Sequence, residues 1–564
     1  MDGPVKKQRI RGGSRAVLPI FAMEALDNMA FVANALSLFT YFFSFMNFGL
    51  TKSANTLTNF MGTAFLLALF GGFLADTYLS KFMACTLFAT FEFVGYAMLT
   101  IQAHFDQLRP TPCNGGQVID PTKCESATSG QSALLYIGLY LIALGAGGVR
   151  AALPALGADQ FDPKNPEEAP KLSNFFNWFF FSLVTGAVVG VTFIVWVAEN
   201  KGWGLAFGLS ALAIFLAIFC FVLGKPLYRI SASAGSPFVR IAQVLVAAMR
   251  NRHIETPKPE DTLYEKEGIN GEILKRTNQF TFLDKAAVVS STSKEGTYPS
   301  SDDPWTLCTT TQVEETKILI RMLPIIVSTI LMNTCLAQLQ TFTTQQGNTM
   351  DRNLGGFKVP ASSVPVIPLL SMCLMVPLYD RFFVPFARGL TGHPSGFPHL
   401  QRIGAGLLLS AVSMAVAGVV ETKRRNVAVE NNMVDSLLPL PYSVFWLGFQ
   451  YCIFSAAEFM TSVGLLEFFY SESSAGMKAL ATGISMCSTS FGYYLSSVVV
   501  DVVNKVSGGW LGSNNLNRVK LDYFYWLLAG LSVANLGVYI VCASWYKYKE
   551  AEVEDEEEVE MVVA

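Results

Sequence analysis

Apolar residues in this chain come in long continuous runs instead of the short alternations that mark half-buried strands. The runs are about 20 residues long, the length a helix needs to cross the hydrocarbon core of a bilayer. They predict helices near 18–43, 54–74, 82–103, 132–152, 174–198 and 203–225, then near 314–345, 361–380, 398–421, 439–468, 476–503 and 520–546. The pattern therefore divides the chain into an N-terminus (1–17), a six-helix bundle (18–225), a linker (226–313), a second six-helix bundle (314–546) and an acidic tail (547–564). Most of the linker is polar and rich in Gly and Pro, as a connecting segment should be. One stretch near 236–252 differs, because Phe238, Ile241, Leu245, Ala248 and Met249 share a helical face with basic residues elsewhere. That pattern predicts an interfacial helix lying along a leaflet or bracing the bundles. The tail run EVEDEEEVE is too charged to pack.

An even number of spans puts both termini on one side. Lys6, Lys7, Arg9, Arg11 and Arg15 precede the first span and place that side in the cytoplasm by the positive-inside rule. About twice as many Lys and Arg fall in loops on that side as in loops on the other. Lys423, Arg424 and Arg425 are the exception, in a loop assigned outside. No small-residue cleavage site follows the first span, so it reads as a signal anchor.

Composition agrees: of 564 residues, 51% are apolar and only 15% charged, and mean hydropathy is +0.39. Soluble domains carry roughly 25% charged residues. A net charge of −3 with no Lys/Arg cluster interleaved with aromatics gives no argument for a nucleic-acid partner, and four histidines without an HExxH or CxxC pattern argue against a metal enzyme. No cofactor is expected, and the bilayer is the surrounding solvent. Among ten cysteines, Cys113 and Cys124 stand out in the polar outside loop CNGGQVIDPTKC, where a structural disulfide is one reading and two free thiols the other.

An ionisable group in the hydrocarbon core costs at least about 2.5–3.5 kcal/mol, so the few that occur there are candidates for function. Glu24, Asp27 and Asn28 share one face of the first helix by their i, i+3, i+4 spacing. Two carboxylates one turn apart repel when both are ionised, which predicts a shared proton; the alternative is that both only fix helix packing. Arg150 ends a glycine-rich run in the fourth helix, cannot shed its charge, and needs an acid or an anionic ligand. Glu458 and Glu467 are its candidate partners in the tenth helix, besides the acids of the first. They lie about 2.5 turns apart, so only one faces a central cavity. Asn333, Gln338, Gln340, Gln345 and Gln346 in the seventh helix either line a wet path or mark its outer end, and FFNWFFF (Phe175 to Phe181) reads as packing.

Several strings in order resemble the major facilitator superfamily, and within it the proton-coupled oligopeptide transporters and their plant branch of nitrate, peptide and hormone transporters (NPF). They are GGFLADTYLSKF (Gly71 to Phe82), LGADQFD (Leu156 to Asp162) followed by FFNWFF, LQRIGAGLLLS (Leu400 to Ser410) and LNRVKLDYFYWLL (Leu516 to Leu528). The resemblance implies an all-α membrane protein with the major facilitator fold, twelve transmembrane helices in two bundles that rock about a midplane cavity. It implies that Asp76 and Lys81 hold the cytoplasmic face together, that protons are the coupling ion taken up at Glu24 and Asp27, and that Arg150 and Glu467 form a gating pair.

Departures from the family pattern narrow the substrate. The family's E-x-x-E-R reads Glu24, Asp27, Asn28, without its arginine, and the paired tyrosines of peptide carriers are Phe31 and Val32. Leu336 stands where nitrate carriers have histidine, Ala84 where the dual-affinity nitrate carrier has its threonine, and Ser474 where a hinge proline is usual. Phe31, Val32, Asn34 and Leu336 around Arg150 suit an apolar monocarboxylate, and the chain is most similar to importers of abscisic acid and gibberellins. The expected function is proton-coupled import of such a hormone across the plasma membrane. The alternatives are a low-affinity nitrate or nitrite transporter and a transport-deficient sensor. The oligomeric state is left open.

Overall fold

The computed structural model describes residues 12–549, apart from the segments 112–126, 231–235, 258–262, 266–273, 289–303, 359–365, 392–395 and 512–514 and isolated positions in other loops. Cys113 and Cys124 lie outside the described residues. Among the described residues, twelve helices are long and apolar enough to cross a membrane. They are α1 (Leu18–Thr40), α2 (Leu50–Thr77), α3 (Lys81–His104), α4 (Ser129–Ala158), α5 (Ala169–Val189) and α6 (Trp203–Leu223). After the linker come α7 (Thr310–Thr349), α8 (Val366–Leu378), α9 (His399–Glu430), α10 (Leu447–Glu472), α11 (Lys478–Val506) and α12 (Leu521–Trp545). Three of them, α1, α5 and α8, run on through single π-helical turns at Tyr41–Phe45, Gly190–Ile194 and Tyr379–Phe383. The side on which α1 begins and α12 ends is the terminus face below.

In the first bundle α1 packs on α5 and α6, while α4 lies against α2 and α3. In the second, α9 lies between α10 and α12, and α7 packs on α11 and α12. The halves meet along α2 and α11, with α5 touching α8 and α10. Along that seam small residues set the spacing. A Cβ on Gly72 would fall 2.4 Å from the Ala479 carbonyl oxygen, and one on Gly483 would fall 2.5 Å from that of Ala68. Nearer the middle, the Ser490 hydroxyl donates to the Gly62 carbonyl at 2.7 Å. On the terminus side one apolar cluster runs through both halves, joined by Phe176 against Tyr470 (5.6 Å) and Phe180 against Phe459 (5.7 Å).

Of the three basic residues on the opposite face two are ion-paired internally, and Lys423 lies 5.4 Å from the Trp446 ring. Arg424 pairs with Glu421 at 2.7 Å and donates to the Asn517 side chain at 2.6 Å, while Arg425 pairs with Asp522 at 2.6 Å. These are paired charges holding α9 to α12, which explains why a loop assigned outside carries them.

The linker is less of a plain tether than its composition suggests. Its helix, Pro237–Arg250, packs Val244, Ala247 and Ala248 onto Leu283, Ala286 and Ala287, with Cys308 and Val313 beside them. Most of the apolar face expected from the sequence is instead turned outward: Phe238, Leu245 and Met249 are exposed. The physical reason is that the small residues let a second linker segment approach closely. Arg240 reaches Glu315 at 3.2 Å and the Gly476 carbonyl at 3.3 Å, whereas Phe238 stacks near Phe73 of α2 at 5.2 Å, so the helix braces both bundles. A buried ion network fastens the rest: Lys317 contacts Asp284 at 2.6 Å and Glu314 at 2.7 Å, and Arg276 contacts Asp284 at 3.1 Å.

Candidate functional site

Three polar side chains of α1 share the face expected from their spacing, and all are buried. Asn28, standing where an arginine is usual, donates its amide to Glu24 Oε1 at 2.8 Å and to the Glu24 carbonyl at 3.0 Å. It therefore holds Glu24 against its own helix, while Asp27 points toward α3 and α4. Arg150 of α4 approaches Asp27 with Nη2 at 4.0 Å from Oδ2, the outer limit of an ion pair. Its guanidinium carbon lies 3.8 Å above the Phe31 ring and 5.4 Å from that of Phe65. Such stacking contributes about 0.5–2 kcal/mol and fixes the plane of the group. Nη1 of Arg150 is buried and has no hydrogen-bond partner among the described residues.

Glu92 on α3 joins this cluster, a residue the sequence reading passed over although an acid in the apolar run FATFEFVG carries the same signal as Glu24. It is fully buried, and its carboxyl comes within hydrogen-bonding reach of that of Asp27. The fit depends on Gly145 of α4, where a Cβ would fall 2.5 Å from the Cβ of Glu92.

The expected pairing of Arg150 with Glu467 does not occur. Glu467 instead lies 3.6 Å from Arg402 and 3.6 Å from His399, both at the terminus end of α9. Glu458 is half-buried, has no ion-pair partner among the described residues, and lies in electrostatic reach of Tyr493, as does Arg150. The two acids are nine residues apart, which is about 13 Å of helix rise, so Glu458 lies deeper along α10 than Glu467. Phe65 stacks on Tyr493 at 6.1 Å across the seam, and Tyr493 donates to Gln340 at 2.9 Å. Asn34 is a tie between helices, not a lining residue; its amide donates to the Ala30 carbonyl at 2.6 Å and to Ser210 of α6 at 2.9 Å. Phe31 is buried beneath Arg150, whereas Val32 and Leu336 remain partly open. Asn333 and Gln338 bond to Ser488 (3.0 Å) and Ser496 (2.8 Å) of α11, and Gln346 bonds to Glu421.

A second constellation closes the terminus face, and Asp159 is its hub. It pairs with Lys81 of α3, accepts from the Tyr470 hydroxyl of α10 at 2.8 Å, and lies 3.4 Å from Lys478 of α11. Burial works against its ionisation, but the charges of Lys81 and Lys478 and the hydrogen bonds from Lys81 and Tyr470 outweigh it and hold the carboxyl below the usual value. Asp76 reaches across the seam: its Oδ2 accepts from the Leu480 N–H at 2.7 Å, and it also bonds Ala479. A carboxylate there satisfies the open N–H groups of the first turn of α11 and meets the positive end of its dipole, worth up to about 2 kcal/mol. So Asp76 and Lys81 act through different partners. Ser474, at the α10–α11 junction, keeps its hydroxyl buried without a hydrogen-bond partner among the described residues.

Beside this hub, Asn177 donates to Asp380 at 3.0 Å and accepts from Arg402 at 2.9 Å, and Trp178 donates to Asp380 at 3.1 Å. The FFNWFFF string is therefore packing on its phenylalanines and a cross-bundle polar lock on Asn177 and Trp178. The signal was the single Asn in an aromatic run, which a purely apolar face would not contain.

Two sealed contact sets on one face and a buried, half-satisfied arginine at mid-height agree with what similarity to known proteins shows. Residues 82–515 match the POT family. Protein NRT1/ PTR FAMILY 4.5 of Arabidopsis thaliana is 43% identical over 95% of this chain and 94% of its own, and FAMILY 4.6 is 41% identical over 95% and 94%. An auto-inhibited POT family peptide transporter superposes with a TM-score of 0.60 at 19% identity, covering 96% of this chain and 98% of its own. A POT family transporter in complex with 5-aminolevulinic acid gives 0.58 at 11% identity over 95% and 98%. The chain belongs to the POT family of transporters, and to its plant NRT1/PTR members.

Proposed function

We propose that this protein imports an organic carboxylate, a monocarboxylate on an apolar skeleton such as abscisic acid or a gibberellin, together with protons, across the plasma membrane with its terminus face in the cytoplasm. The observation that carries the reading is Arg150: a permanent charge over the Phe31 ring and near that of Phe65, 4.0 Å from Asp27, with one buried nitrogen that has no hydrogen-bond partner among the described residues. A guanidinium in that state favours an anion that brings two oxygens and an apolar body. Phe65, Val32 and Leu336 supply apolar contact, and one neighbour of the same fold was solved with 5-aminolevulinic acid. The paired tyrosines of peptide carriers are replaced here by Phe31 and Val32, which disfavours peptides. Glu458 takes the part expected of Glu467: with the site empty and the bundles drawn together, it is the acid available to Arg150 across Tyr493. Substrate arrival would release that acid, and protonation at the α1 cluster would balance the anion's charge.

Uptake of labelled abscisic acid, gibberellic acid and nitrate into oocytes at two external pH values tests this. A carboxylate taken up faster at the lower pH, with uptake lost in Arg150→Ala and Glu458→Gln at unchanged surface abundance, is the expected result. Uptake of nitrate alone would reassign the substrate. No transport until Ser474→Pro is introduced would make the protein a sensor.

A further inference from the structure

On the above reading of a proton-coupled carrier, we propose that Glu92 of α3 is a proton-binding residue of this transporter, sharing one proton with Asp27 of α1. Four observations carry the assignment. Glu92 is fully buried, and neither of its oxygens meets a hydrogen-bond donor among the described residues. The group within hydrogen-bonding reach is another carboxyl, that of Asp27, whose Oδ2 also lacks a donor. Two buried carboxyls in that relation have only acceptors between them unless one carries a proton, which then serves as the missing donor. Finally, Gly145 leaves the room that lets Glu92 press against α4, so the juxtaposition is built into the helix packing.

The surrounding charges make this pair the one that changes. From α1, Glu24 also faces it, with Oε1 held by the Asn28 amide and Oε2 without a donor among the described residues. From α4 comes Arg150, close enough to Asp27 to balance one negative charge and not two. On α3 itself the neighbours are Tyr96, whose hydroxyl turns toward Asn34, and Cys85 nearer the terminus face. Helix α2 has ionisable residues only near its ends, Lys52 and Asp76, and α6 has only Cys220, at its terminus end. With its proton the pair carries one charge against one from Arg150. An anionic substrate drawing Arg150 away leaves the pair without its counterion, so the proton is held more tightly while substrate is bound; that is the linkage symport requires. Asn28 removes the cation that would otherwise sit on α1, and Glu92 is the group that keeps a proton in its absence.

Infrared difference spectroscopy on the purified full-length protein tests the shared proton without a substrate. The wild type should show a protonated-carboxyl band that disappears at alkaline pH, E92Q should lack that titrating band, and E24Q should keep it. A full band in E92Q, or none in the wild type, overturns the proposal. Transport of labelled abscisic acid in proteoliposomes supplies a second readout. E92Q should lose acid-driven accumulation yet retain exchange of internal label for external unlabelled compound, and E92D should recover accumulation. Loss of accumulation and exchange together in a correctly inserted E92Q would mean a structural role and overturn it. A wild type that does not move abscisic acid refutes the substrate reading, while the infrared measurement still decides the role of Glu92.

Discussion

At the scale of single residues, the functional groups divide by whether their charge is balanced. Asp159 is over-balanced, with Lys81 and Lys478 both within pairing distance. Its carboxyl is held below the ordinary Asp value near 3.9, so the closed terminus face binds fewer protons there than the opened one. The stabilisation is complete above that ordinary value and is lost only as pH falls through the lowered one. Acidification to about pH 5 should therefore leave this gate shut, and Asp159→Asn should open it equally at pH 5 and pH 8. Removing the acid leaves two lysines facing one another, at a cost of about 3–5 kcal/mol to the closed state. Maleimide labelling of Cys487, buried on the seam face of α11, would register the opening. Labelling of the wild type that rises between pH 8 and pH 5, and that Asp159→Asn no longer shows, would mean that Asp159 itself titrates in the cycle. Arg150 is the opposite case, an under-balanced cation. Arg150→Lys should recover less than a tenth of wild-type uptake, because a point charge neither spans two rings nor presents two parallel donors. These two sites also differ in legibility. Arg150, Glu24 and Asp27 stand out in the sequence because an ionisable residue in an apolar run is costly. Which acid meets which base depends on helix depth and rotation, and so Glu467 was expected beside Arg150 and lies instead beside His399 and Arg402.

At the scale of helices, glycines set how close α2 and α11 come in this arrangement. A valine at Gly483 would drive its Cβ into the Ala68 backbone, 2.5 Å from the carbonyl oxygen, and backbone cannot step aside as a long side chain can. Overpacking of this kind costs about 1–3 kcal/mol. Gly483→Val should raise Cys487 labelling several-fold at unchanged abundance, whereas Gly537→Ala on α12, with nothing within 4 Å of the added methyl, should change neither. Equal labelling of both variants would mean that the seam is not what keeps the terminus face shut. The positions of all twelve helices were legible from run length, since lipid leaves few other ways to satisfy apolar sequence. Their ends were less so: α7 starts at Thr310 because the Thr309 side chain and Gln312 cap each other, a polar signal just outside the apolar run. The linker helix was legible as amphipathic, but its buried face was not, because alanines hide a packing surface that hydropathy assigns to larger residues.

For the whole molecule, the two bundles are joined on the terminus face through at least four independent contacts: Asp76 with the start of α11, the Asp159 hub, the Asn177–Asp380–Arg402 lock, and the linker helix. Bundles so joined can expose the Arg150 site to the terminus side only by breaking these together, as rocking about a midplane site requires. A covalent lock at this face should then stop transport without disturbing the site. Asn177 and Asp380 are suitable positions, since their side chains meet at 3.0 Å across the bundles and a thiol at either displaces no backbone, so a short reducible bifunctional thiol reagent can join them. The double variant Asn177→Cys, Asp380→Cys should take up no substrate when cross-linked and recover on reduction. Each single variant should transport throughout, because the other contacts across this face remain, and the cross-linked form should still bind substrate presented from the face opposite the termini. Continued uptake by the cross-linked protein would mean that substrate leaves by a path the bundle seam does not gate, and rocking as the transport step would have to be abandoned.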